Sequence, residues 1–216
     1  MQKIIIDLTH KLCTGMPVYA GDKPDPEIMS SQSKLSWDIT ISSIRLGSHF
    51  GTHMDAPRHF FPKGKGLLDF PLSRFIGSAL CLNKKDHFPG AIELDDEERF
   101  VLDRAKPTWV LVYTGFDQNW GKENYFINHP YLSGSLAEFL LEINVSGVGV
   151  DFPSIDAANA QKFNYPVHHL LLGAGLLAIE NLTSLGKLPT LQLFELCALP
   201  LKTDTEGAPT RVVAVL

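Results

Sequence analysis

The chain is poor in cysteine: Cys13, Cys81 and Cys197 are the only three in 216 residues. They are far apart, odd in number and form no Cys-x-x-Cys pair, which excludes a disulfide framework and fits a reducing cytoplasm. Cys81 and Cys197 lie in apolar runs with no basic neighbour in sequence, so they read as core thiols rather than nucleophiles. Positive charge is also scarce. The net charge is −5, and the densest basic group is Lys63, Lys65, Lys84 and Lys85. Nucleic acid and anionic membranes need a concentrated basic surface, so neither is expected as a partner, and these lysines are read as solvated. No apolar stretch approaches the ~20 residues of a membrane span, and no Gly-x-Ser-x-Gly elbow points to a serine hydrolase. The chain runs straight from Met1 into the β-like Ile4-Ile5-Ile6, so no signal peptide is expected. With 44% hydrophobic and 20% charged residues, one globular domain over 1–216 with a sizeable core is expected.

Strand-like runs are plentiful. They fall at Ile4–Leu8, Asp38–Leu46, Ser78–Leu82, Trp109–Thr114, Gly147–Asp151, Leu176–Glu180, Leu191–Leu199 and Arg211–Leu216, several of them bounded by Gly, Pro or Asp. Within Asp38–Leu46 the apolar alternation slips by one residue, which predicts a bulge. Helices are few. Asp95–Ala105 begins acidic and ends basic, as the helix dipole favours. Ser135–Ile143 offers a Ser135-x-x-Glu138 capping box and an apolar stripe. A shorter helix is expected over Val167–Leu172. The strand–helix–strand order from Trp109 to Asp151 is βαβ-like, so the fold class is α/β or α+β with a mixed sheet. Gly15–Pro26 and Gly115–Tyr131 read as long loops of the kind that cover a substrate.

The most informative stretch is His49-Phe50-Gly51-Thr52-His53-Met54-Asp55-Ala56-Pro57-Arg58-His59. Gly51 and Pro57 make it a poor helix, so it reads as a strand end running into a tight turn. His53 and Asp55, two apart, then project to one side of an extended segment. A lone histidine is more often a hydrogen-bonded structural residue than a ligand. Three imidazoles and a carboxylate converging on a loop instead mark a site. Imidazole nitrogens and carboxylate oxygens are the usual ligands of a catalytic Zn²⁺ or similar ion, about three per site with one position open. His49, His53 and Asp55 can fill that role, leaving His59 for proton transfer.

A second group of ligand types lies at His168 and Glu180. Glu180 ends an apolar run, where an ionised carboxylate is costly to bury unless paired or bound to a metal. Gly173 and Gly175 allow a reversal that brings the two together. On spacing alone, a hydrogen-bonded or surface role for this pair is the commoner outcome.

The pattern His49-x-Gly51-Thr52-His53-x-Asp55-x-Pro57-x-His59 resembles the signature of the metal-dependent cyclase family, which includes bacterial kynurenine formamidase and isatin hydrolase. Asp7-Leu8-Thr9, Met16-Pro17-Val18-Tyr19 and Gly21-Asp22 are similar to the family's opening. Asp151-x-Pro153-Ser154-x-Asp156 is similar to its Asp-Thr-Pro-Ser segment, with Phe152 in place of Thr. Ala198-Leu199-Pro200-Leu201 is similar to its closing strand. The resemblance implies a swivelling β/β/α fold and two Zn²⁺ ions, with Mn²⁺ an occasional replacement. His49, His53 and Asp55 would hold the first ion, and Asp55, His168 and Glu180 the second. The twelve-residue offset to Glu180 selects His168 over His169, and His59 falls on the proton-transfer position. The implied protein is a homodimer or larger homo-oligomer acting on a small molecule.

The expected reaction is hydrolysis of an amide, an aryl formamide such as N-formylkynurenine being the leading candidate. The alternatives are opening of a cyclic amide or lactone, a cyclisation or dehydration, or a metal-binding domain without turnover. Phe50, Phe60, Phe61 and Trp37 are candidates for a planar-substrate pocket, although a core role is more common for each. His10, His87 and His129 read as structural or exposed.

Overall fold

The computed structural model describes residues 3–19, 21–22, 25–32, 39–85 and 90–216. Trp37, Asp38 and His87, named above, lie outside them. The central sheet takes its strands from the runs rich in Val, Ile and Leu. They are β1 (Ile5–Asp7), β4 (His53–Asp55), β5 (Ile76–Asn83), β7 (Trp109–Tyr113), β9 (Gly147–Val150), β10 (Leu177–Glu180), β11 (Leu193–Pro200) and β12 (Gly207–Val215). Their order is β1-β12-β11-β5-β7-β9-β10-β4, and a further pairing of β12 with β4 closes the sheet into a barrel-like core. β5, β7, β9 and β10 run parallel, and the remaining ladders are antiparallel. The sheet is therefore mixed, as expected.

Three helices cover one side: α1 (Asp96–Ala105), α2 (Gly134–Glu142) and α3 (Pro166–Gly173). Side chains alternate along each strand, and β7 shows the consequence. Trp109 and Leu111 enter a core inside the ring with Met54, Leu177, Ile179 and Leu196. Val110 and Val112 join a second core with Leu102, Leu136, Leu140 and Leu171 of the helices. A mixed α/β fold with two cores back to back is the result.

Local signals were obeyed where caps were strong. Asp95 accepts the amide of Glu98, whose carboxylate returns to the amide of Asp95, so α1 carries a reciprocal capping box. Two expectations are corrected. Ser133, not Ser135, caps α2 by accepting the amide of Leu136 at 3.0 Å, which starts the helix one residue early. The expected bulge is absent. β3 (Thr40–Arg45) pairs in unbroken register with β2 (Glu27–Gln32), from Glu27 opposite Arg45 to Gln32 opposite Thr40. All of β3 is exposed, so no buried face enforced its apolar alternation. Lys84 also departs from the solvated reading. It is buried, and its Nζ lies 2.5 Å from Glu98 Oε2, which pins β5 to the first turn of α1.

Two-residue strands β6 (Ala91–Ile92) and β8 (Tyr131–Leu132) pair beside the helices. Asp151, at the end of β9, accepts hydrogen bonds from Thr114 N, Thr114 Oγ1 and Gly115 N. These bonds bind the ends of β7 and β9 together.

Candidate metal centre

Strand register builds the site. Across β10 and β4, Glu180 sits opposite His53 and Ala178 opposite Asp55, and residues directly opposite share a face. Met54, between the two ligand types, points the other way into the barrel core. His53, Asp55 and Glu180 are thus gathered on the outer face of the barrel, all buried.

Special backbone brings in the other residues. Gly51 has φ +64°, a left-handed conformation that glycine adopts without strain. Its carbonyl accepts the His53 Nδ1 proton at 2.9 Å, leaving Nε2 facing the carboxylates. Pro57 opens a single 3-10 turn, Pro57–His59, which sets the His59 ring 4.0 Å from that of His49, centroid to centroid. α3 supplies His168 from its first turn. There Asp156 accepts the amides of Val167 (3.0 Å) and His168 (2.9 Å) as well as the His168 Nδ1 proton (2.7 Å).

The inner nitrogens then converge on two carboxylates. Asp55 Oδ1 lies 2.7 Å from His49 Nδ1 and 3.4 Å from His53 Nε2, while Asp55 Oδ2 lies 3.7 Å from His168 Nε2. Glu180 lies 3.5 Å from His53 Nε2 through Oε2 and 3.3 Å from His168 Nε2 through Oε1. The backbone amide of Ile155 fixes Glu180 Oε1 at 2.8 Å. Each of these three imidazoles has an oxygen near its outer nitrogen: Gly51 O for His53, Asp156 for His168, and Glu206 Oε1, 3.3 Å from His49 Nε2. Metal-binding histidines are held this way, with the outer nitrogen tied to an oxygen that fixes ring and tautomer.

Charge in the cluster also fits a cation. Burial opposes an ionised Asp55, but His49, His53 and His168 outweigh it and hold the carboxyl well below its usual range. Burial likewise opposes charging His49, yet Asp55 and Glu206 raise it to about 10. His168 is raised well above its ordinary value by Asp156, Asp55 and Glu180, again against burial. Protons on imidazoles answer the negative charge here, a role a divalent ion can take over. Asp55 Oδ1 and His49 Nε2 are buried and make no aligned hydrogen bond. His49, Asp55 and His59 form one group of ligand atoms within 4.8 Å of one another, and His53, Asp55 and Glu180 form another. The donor set can hold a metal ion.

A cavity of about 610 Å³ opens over these residues. Pro17, Val18, Tyr19 and Asp22 line it from the first long loop, and Phe126 from the second. Phe60 and Tyr165 complete an aromatic wall. Of the aromatic candidates, Phe60 therefore meets the cavity. Phe50 is a core residue, and Phe61 packs at the edge of the helix-side core. His10 stacks on Trp120 at 4.2 Å and His129 is buried, so both are structural. Burial pushes the Cys81 thiol up to about 12 and also raises the half-buried Cys197, so neither favours a thiolate. Asp156, Glu206 and Asn181 meet the cluster only in the folded chain. Asp156 stands in the quoted Asp-x-Pro-Ser-x-Asp segment, but its bond to His168 had no local signal.

The Cyclase family model matches residues 6–157. The kynurenine formamidase of Geobacillus thermodenitrificans is 31% identical over 208 residues, covering 95% of this chain and 94% of that one. The chain belongs to the cyclase family. Solved structures agree with this membership. Isatin hydrolase A from Labrenzia aggregata, bound to benzyl benzoate, superposes with a TM-score of 0.83 at 26% identity, covering 99% of this chain and 94% of that chain. A predicted metal-dependent hydrolase from Bacillus stearothermophilus gives 0.77 at 25% identity over 100% of this chain and 99% of that chain. The similarity thus extends beyond the signature to the whole cyclase-family fold.

Proposed function

We propose that this cyclase-family chain is a metal-dependent amidohydrolase that cleaves a carbon–nitrogen bond other than a peptide bond. An aryl formamide such as N-formylkynurenine is the leading substrate. The enzyme class is that of the kynurenine formamidase and isatin hydrolase relatives, and the end-to-end match supports one hydrolase domain over 1–216. The observation that carries the reading is Asp55, whose two oxygens face different imidazoles, His49 and His53 on one side and His168 on the other. In this reading His49, His53 and Asp55 would hold one ion, and Asp55, His168 and Glu180 would hold a second. Zn²⁺ suits this set of nitrogen and oxygen donors, and Mn²⁺ is the alternative.

A divalent cation bound there supplies Lewis acidity toward a carbonyl oxygen and lowers the pKa of water from 15.7 to about 7. The chain's own residues do the rest. His59 is exposed at the cavity, yet partial desolvation by the groups packed around it lowers its imidazole, which leaves it neutral and able to accept a proton at neutral pH. Its ring lies against His49 at the cavity wall. There it takes the proton of the attacking water and returns it to the departing amine nitrogen. Phe60, Tyr165, Tyr19 and Phe126 offer flat apolar surface to an aryl group and exclude water from it.

A panel of aryl formamides, isatin-like lactams and lactones, assayed on the metal-loaded protein, tests the substrate. Fastest turnover of aryl formamides supports the reading. The isatin hydrolase fold neighbour favours a second one, opening of a cyclic amide, which preferential lactam turnover would establish. Lactone or dehydration activity alone would assign a cyclase-type reaction, and bound metal with no turnover would assign a non-catalytic domain. A homodimer or tetramer is the proposed assembly, supported by the exposed Met29, Ile39, Ile41 and Ile44 on and beside the β2–β3 hairpin. Cytoplasmic location is proposed on the three free cysteines.

A further inference from the structure

Asn181 follows Glu180 directly and is buried at the wall of the cavity. Its backbone is left-handed, with φ +57°, a conformation asparagine tolerates better than most residues. Both ends of its side chain are used. Tyr125 Oη donates to Asn181 Oδ1 at 2.8 Å, and Asn181 Nδ2 donates to the Gly51 carbonyl at 3.0 Å. That same carbonyl receives the His53 Nδ1 proton at 2.9 Å. Thr52 Oγ1 donates back to the Asn181 carbonyl at 2.5 Å.

The donor and acceptor roles in this chain are fixed. Burial raises the Tyr125 phenol well above its ordinary value, so the hydroxyl stays protonated and donates. That orients the amide, because an oxygen must face the hydroxyl and the NH₂ must then face Gly51. The Gly51 carbonyl can only accept, through two lone pairs, and both are used. His53 must therefore carry a proton on Nδ1, which makes Nε2 the nitrogen turned toward Asp55 and Glu180.

We infer that Asn181 is a positioning residue. Locked by Tyr125, it holds the Gly51 carbonyl where that carbonyl fixes the tautomer and ring angle of His53 against Glu180. The inference rests on the metal-site reading for its consequence but not for its geometry. One short segment, Glu180-Asn181, then supplies a candidate ligand and sets the opposing one across the β10–β4 ladder.

The test compares wild-type, Asn181→Asp and Tyr125→Phe proteins by two readouts. Asn181→Asp keeps the size and the left-handed backbone but removes the donor to Gly51. Tyr125→Phe removes the amide lock and leaves the donor present. In metal-free protein, the ¹⁵N shifts of the His53 ring report its tautomer. A fully protonated Nδ1 is expected in wild type and a partly protonated one in Asn181→Asp, with Tyr125→Phe between them. In Zn²⁺ titrations against a competing chelator, Asn181→Asp should bind about 10–100-fold more weakly, as loss of an outer-shell partner does, and Tyr125→Phe a few-fold more weakly. An unchanged His53 tautomer in both variants would overturn the inference. If Asn181→Asp does not fold, Tyr125→Phe decides, and an unaltered ring there would count against it. Wild-type protein that binds no Zn²⁺, with the His53 change still seen in Asn181→Asp, would sink the metal reading and leave the positioning role standing.

Discussion

His168 donates its Nδ1 proton to Asp156 Oδ2 at 2.7 Å, and the same carboxylate accepts the amides of Val167 and His168. One acid thus anchors the first turn of α3 and aims an imidazole. Burial opposes its ionisation, but the bonds from His168 and Val167 lower its pKa, so it remains a charged acceptor. The Nε2 of His168 is then the nitrogen left for the site.

Asp156→Asn should separate these two duties. Asparagine keeps one acceptor oxygen but turns its NH₂ toward one of the three N–H donors, so α3 should persist with a loss of about 1–3 kcal/mol. Loss of the charged partner should weaken Zn²⁺ binding about 10–100-fold. Chelator competition beside a melting curve measures both, and unchanged affinity would remove Asp156 from the site.

His59 has a different predicted signature. It stands at the cavity wall with a neutral imidazole, so His59→Ala should retain metal and lose roughly 10²–10⁴-fold in kcat. His53→Ala should lose metal and activity together. Elemental analysis with steady-state kinetics distinguishes the two patterns, and metal loss in His59→Ala would reassign that residue as a ligand.

His10 predicts a pH dependence of stability. Burial lowers its imidazole to about 4, with Asp117 opposing weakly, whereas the unfolded chain titrates near 6.5. Between those values the unfolded state binds more protons. The contribution of His10 is therefore full above pH 6.5 and is lost as pH falls toward 4. His10→Phe keeps a ring on Trp120 and removes the proton site. Its unfolding free energy should fall less steeply than wild type between pH 6.5 and 4, and parallel curves would contradict the assignment.

Gly147 tests the scaffold beneath the ligands. A Cβ there would strike the Leu177 carbonyl and the Trp109 ring, in the β9–β10 ladder that carries Glu180. Gly147→Ala should destabilise by about 1–3 kcal/mol, as overpacking does. Denaturant unfolding reads this directly, and a stability within 0.5 kcal/mol of wild type would show that the strands yield freely.

Legibility in the sequence followed the range of each interaction. β5, β7, β9, β10 and the three helices announce themselves through local apolar pattern and caps. Closure of the barrel does not, because it depends on Gly207–Pro209 meeting β4 from about 150 residues away. Gly207-Ala208-Pro209 also looks like a turn rather than a strand. Ser133 and Ser135 both offer a cap, and only the path of the chain after β8 chooses between them. The cluster from His49 to His59 was readable because its members share one short segment. Asp156, Asn181 and Glu206 were not, since each acquires its role from a partner that folding brings close.

The most direct measurement is metal content together with hydrolysis, on wild type and Asp55→Ala, before and after chelation. If Asp55 bridges two ions, wild type should carry about two equivalents per chain and lose aryl-formamide hydrolysis when stripped. Restored Zn²⁺ or Mn²⁺ should return that activity, and Asp55→Ala should show neither metal nor turnover. A wild-type protein without bound metal whose hydrolysis ignores the chelator would contradict the account.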